Sequence, residues 1–80
     1  MPSASEPPLE FGVQPLDHLI TQHQLTNKEL VDASSEQLSF KMIQKGRRGR
    51  KLSRNVQFKI LRAINAATEK DYQLKDLFNY

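Results

Sequence analysis

From Gln37 to Thr68 the chain runs for 32 residues without an aspartate or glutamate, and it carries nine lysines and arginines on the way. Like charges repel, and lysine and arginine are almost never buried unpaired. All nine must therefore reach the surface of whatever this segment builds, and the apolar residues between them must supply a one-sided core. The acids collect elsewhere: residues 1–36 carry a formal charge of −5, residues 37–68 carry +9 and residues 69–80 carry −1, within a net charge of +3. Such a segment is costly on its own and favourable opposite a polyanion. The plainer alternative is a solvated basic face.

Eighty residues make one small domain with a small core. The chain has no cysteine, which excludes disulfides, thiolate nucleophiles and cysteine-ligated zinc. Two histidines, His18 and His23, are too few for a metal cage, and no cofactor is expected. No apolar run exceeds three residues, so no membrane span is expected. The first ten residues are acidic and proline-rich, unlike a secretory signal. Together these features lead us to expect a cytoplasmic protein, associated with the nucleoid if bacterial.

Residues 1–13 hold three prolines, two serines and a glycine, and read as a disordered or loosely docked arm. Leu9, Phe11 and Val13 are its candidate latches. Residues 14–80 read as the folded domain. Pro15 suits a first helical position, and Leu16, Leu19, Ile20 and His23 form one stripe, predicting a helix over Pro15–Gln24. His23 closes the stripe as a packing residue, and His18 lies off it. Thr26 and Glu29 have capping-box spacing and predict a helix over Asn27–Ala33, with Leu30 and Val31 turned inward. Ser39 caps a helix over Phe40–Gly46, with Gly46 as its left-handed end and Arg47–Lys51 as a basic loop. Ser53 caps the longest helix, over Arg54–Ala66, whose stripe is Val56, Ile60, Ala63 and Ile64. Thr68–Asp71 offers another cap, before a short helix over Leu74–Phe78. No window alternates with period two. The expected fold is all-α, a small bundle of four to five short helices in which Asn27–Ala33 and Phe40–Gly46 form a helix-turn-helix.

Four segments carry a resemblance. LTNKELV (Leu25–Val31) resembles the start of helix 2 in phage-repressor and Cro-like (Xre-type, lambda repressor-like) helix-turn-helix domains. MIQKGRR (Met42–Arg48) is similar to the end of their recognition helix, KILRAIN (Lys59–Asn65) to their fourth helix, and Asp76-Leu77-Phe78 to their closing helix. Val31 stands where the family has a small alanine, and the turn Ser34–Leu38 lacks the usual glycine. The resemblance implies DNA binding and transcription regulation. It implies base reading by Ser39, Phe40, Lys41, Gln44 and Lys45, with Gln44 paired to adenine, the lysines reaching guanine, and Phe40 either touching a thymine methyl or packing in the core. It implies phosphate contacts from Asn27, Arg47, Arg48, Arg50, Lys51 and Arg54. Lys59 and Arg62 are expected to be solvated.

Catalysis is not expected, because no histidine–carboxylate pairing and no phosphate-binding glycine loop is present. Besides double-stranded DNA, two partner classes stay open. One is RNA or the ribosome, against which counts the shortage of stacking aromatics among the bases. The other is an acidic protein docked on the basic face. A homodimer through Leu74, Leu77, Phe78 and Tyr80 is an expectation for the DNA reading, with core capping as the alternative for those residues.

Overall fold

The computed structural model describes residues 12–80; the expected arm lies outside the described residues up to Phe11. Five helices follow one another: α1 (Pro15–Gln22), α2 (Asn27–Ala33), α3 (Phe40–Arg48), α4 (Arg54–Thr68) and α5 (Leu74–Leu77). No strand occurs among the described residues, so the fold is a small all-α bundle. None of these helices is long and apolar enough to cross a membrane.

Helix starts follow the side-chain signals. In α2 the Thr26 hydroxyl accepts the Glu29 N–H at 3.1 Å, and the Glu29 carboxylate accepts the Thr26 N–H at 2.8 Å, the reciprocal pair of a capping box. Ser39 accepts the Met42 N–H, and Ser53 accepts the Val56 N–H. Pro15 opens α1 as expected.

Helix ends depart from expectation. α1 stops at Gln22, because Gln24 adopts a left-handed conformation and the Leu25 N–H turns back to the Ile20 carbonyl. α3 does not end at Gly46. It continues through Arg48 and closes on Gly49, which holds φ at +93°, so Arg47 and Arg48 are helical rather than in a loop. α4 runs to Thr68 and closes on Glu69, a left-handed non-glycine residue. The stretch Thr68–Asp71 therefore ends a helix and caps none. α5 starts after Gln73, whose N–H is accepted by Asp76. It stops at Leu77, one residue short of the expected end.

The core is Leu16 and Ile20 of α1, Leu30 of α2, Ile43 of α3, Ile60, Ala63 and Ile64 of α4, and Leu77 and Phe78, joined by Leu38 and Leu52 from the loops. Val31 and Val56 pack at its edge, half-buried. Helix α4 lies along α2, while α1 bridges α3 and α5. Leu77 and Phe78 are buried, which is the core-capping role, and Leu74 and Tyr80 remain half-buried beside them. His23 is half-buried, with its Nε2 2.8 Å from the Tyr72 hydroxyl, while His18 is exposed. Val13 is 65% exposed and so is not a buried latch, whereas the adjacent Gln14 is fully buried.

Candidate nucleic-acid interface

Helix α3 is amphipathic by charge as well as hydropathy. Ile43 and Gly46 are buried and Met42 half-buried against the bundle. Phe40, Lys41, Gln44, Lys45 and Arg48 are all exposed. Their spacing of i, i+1, i+4, i+5 and i+8 places them in one row along the outward side. Phe40 is 53% exposed, so it is a surface residue and not a core one. Ser39 is exposed too, with its hydroxyl engaged as the cap of this helix.

Gly46 lets α3 sit close to its support. A Cβ at this position would lie 3.0 Å from a Leu52 methyl, 3.3 Å from Leu16 and 3.4 Å from the Phe78 ring. Lys45 and Arg48 flank this buried point and are exposed.

The cations expected to read bases (Lys41, Lys45) or to hold phosphates (Arg47, Arg48, Arg50, Lys51, Arg54) divide into two groups by their partners. Lys41, Lys45, Arg48 and Arg54 are exposed and make no ion pair among the described residues. Arg50 and Lys51 follow in the loop, Arg50 half-buried and Lys51 exposed, and the Arg50 carbonyl accepts from the Tyr80 hydroxyl. Arg47 is instead tied inward. Its Nε donates to Asp17 at 2.6 Å and its Nη1 donates to Asn27 Oδ1 at 2.8 Å. Asn27 in turn donates through Nδ2 to Gln44 Oε1 at 3.2 Å. Asn27, Phe40, Lys41 and Gln44 line a shallow surface hollow of about 380 Å³. Asp17, in the first turn of α1, belongs to this site although it was not among the expected site residues. Its partner lies 30 positions away, and no local pattern announces it.

A second charged cluster lies behind the helix pair. Arg62 donates from Nε and Nη2 to the two Glu36 oxygens at 2.6 and 2.7 Å, so it is exposed to solvent, as expected, and ion-paired as well. Its guanidinium also stands 5.9 Å from the centre of the Phe58 ring. The hydrogen bond from Arg62 holds the Glu36 carboxyl below its ordinary range, with a smaller contribution from the charge of Lys59. On α2, the hydrogen bond to Asp32 raises the Lys28 ammonium above its usual value.

No family model matches the chain, and neither a curated protein nor a solved structure is significantly similar to it.

Proposed function

We propose that this protein binds double-stranded DNA as a helix-turn-helix domain, with α3 in the major groove, and serves as a transcriptional regulator. The observation that carries the reading is the outward row of α3. Lys41, Lys45 and Arg48 project from one face with no acid to answer them, alongside Phe40 and Gln44. Unpaired cations along one helix repel each other in the free protein, and that repulsion is relieved against a phosphate backbone. An amide and an aromatic ring among them give the row groups that can meet base edges. The loop and α4 entry add Arg50, Lys51 and Arg54 for the backbone.

The test is fluorescence anisotropy of a labelled random duplex titrated with the protein between about 50 and 200 mM salt. Each phosphate contact contributes a slope of about −0.9 in log affinity against log salt. Six contacts predict a loss of roughly a thousandfold across that range. No binding at the lowest salt overturns the reading.

A further inference from the structure

The hydrogen bonds joining α1, α2 and α3 have a direction. The chain runs from Asp17 through Arg47 and Asn27 to Gln44, with separations of 2.6, 2.8 and 3.2 Å. A carboxylate can only accept and a guanidinium can only donate. The Asn27 atom that meets Arg47 must therefore be its oxygen. The atom that meets Gln44 must then be nitrogen, and Gln44 must receive it through oxygen. Flipping either amide breaks at least one of the bonds. What Gln44 presents at its exposed end is Nε2 with its N–H donors.

We propose that this relay makes Gln44 a donor-only reader that selects guanine over adenine, and that Asn27 and Arg47 are the positioning residues that set this preference. The inference rests on the DNA reading above. Guanine offers N7 and O6 as adjacent acceptors in the major groove, which two N–H donors suit. Adenine offers an acceptor and a donor, N7 and N6–H, and a glutamine meets them only by presenting oxygen and nitrogen together. Here the oxygen is turned back toward Asn27. The surrounding hollow agrees: besides the two amides it is lined by Phe40 and Lys41, of which Lys41 only donates. The bond from Arg47 to Asn27 is charge-assisted, so Asn27 is the firmly oriented member and Gln44 follows it.

The relay can be reversed with one atom. In Asn27→Asp both side-chain oxygens accept, so Arg47 keeps its partner while Gln44 must turn its nitrogen inward and its oxygen outward. A carboxylate is also favourable in the first turn of a helix, so α2 is not weakened. The experiment is selection of bound duplexes from a random library with the wild-type chain, Gln44→Ala and Asn27→Asp, each checked as folded by circular dichroism. The expected result is a guanine in the wild-type consensus that Gln44→Ala erases. Asn27→Asp replaces it with a base that presents an N–H, cytosine or adenine, shifting the preference by about fivefold or more. An adenine at the Gln44-dependent position of the wild-type consensus overturns the inference, as does a guanine that survives Asn27→Asp. If that variant melts below the assay temperature, Asn27→Ala replaces it, and the guanine preference is expected to be lost. Retention of the guanine in Asn27→Ala overturns the inference too. Wild-type protein that binds no duplex at low salt overturns the DNA reading itself, which is a separate outcome from a wrong or unmoved consensus.

Discussion

The Gln14 side chain accepts the backbone N–H of Asn79 at 2.7 Å, a bond between residues 65 positions apart. The same side chain donates to the Gly12 carbonyl, and the Gln14 backbone N–H donates to the carbonyl of Arg47. A single residue, 1% exposed, thus fastens the N-terminal entry, the end of α3 and the C-terminal segment to one another. Gln14→Ala removes the side-chain hydrogen bonds to Gly12 and from Asn79, and vacates a fully buried position. We expect a loss of about 1–3 kcal/mol, read from the urea midpoint. A loss below about 0.5 kcal/mol would show that water replaces the amide without penalty.

Two glycines three positions apart make opposite predictions about cause. At Gly49 a Cβ would stand inside van der Waals contact with the Gly12 carbonyl, and φ is +93°. Gly49→Ala is expected to cost at least about 2 kcal/mol through clash and left-handed strain together. At Gly46 the backbone is helical, and alanine would gain about 1 kcal/mol of helix propensity. Crowding against Leu52, Leu16 and Phe78 opposes that gain, typically by about 1–3 kcal/mol. Gly46→Ala should therefore be the milder of the two, and thermal melts of both variants give the order.

On the proposed DNA reading, the outward row should separate affinity from sequence preference. Arg48→Ala should weaken binding to every duplex and reduce the salt slope by about one contact. Gln44→Ala should change which sequences are preferred while leaving that slope in place. Anisotropy against matched and mismatched duplexes distinguishes them, and identical behaviour of the two variants would mean that Gln44 does not face bases.

Acid should weaken the bundle in part through Glu36. Its hydrogen bonds from Arg62 hold its folded pKa below the ordinary value of 4.5. A carboxyl lowered on folding contributes fully above its unfolded pKa, and the contribution disappears as pH falls through the folded value. Glu36→Gln should consequently be less stable than wild type at neutral pH, and the gap should close below about pH 4.5. Urea midpoints at neutral pH and at about pH 3 test the sign. A gap that widens in acid contradicts it.

Legibility in the sequence followed the range of the interaction. The starts at Asn27, Phe40 and Arg54 were readable, because Thr26, Ser39 and Ser53 act within three residues of themselves. Helix ends were harder. Gln24 and Glu69 take left-handed conformations that sequence reasoning reserves for glycine, and Gly46 looks like a stop until Leu52, Leu16 and Phe78 are seen above it. On α3 the exposure of Ser39, Lys41, Gln44 and Lys45 agrees with expectation, Phe40 was open between surface and core, and Arg48 joins the row because the helix runs on past Gly46. The Asp17–Arg47–Asn27–Gln44 relay was not, because its members come from three helices and each is an ordinary polar residue in its own neighbourhood.

The seat of Gly46 also sets an order of events during synthesis. α3 leaves the ribosome well before Phe78, one of the three side chains that Gly46 rests against. A nascent chain halted between them carries its cations on a helix whose foundation still lacks the Phe78 ring. The support beneath the basic face is thus completed last, although most of that face is made in the middle, and a chain that stops before Phe78 lacks one of the three side chains under Gly46.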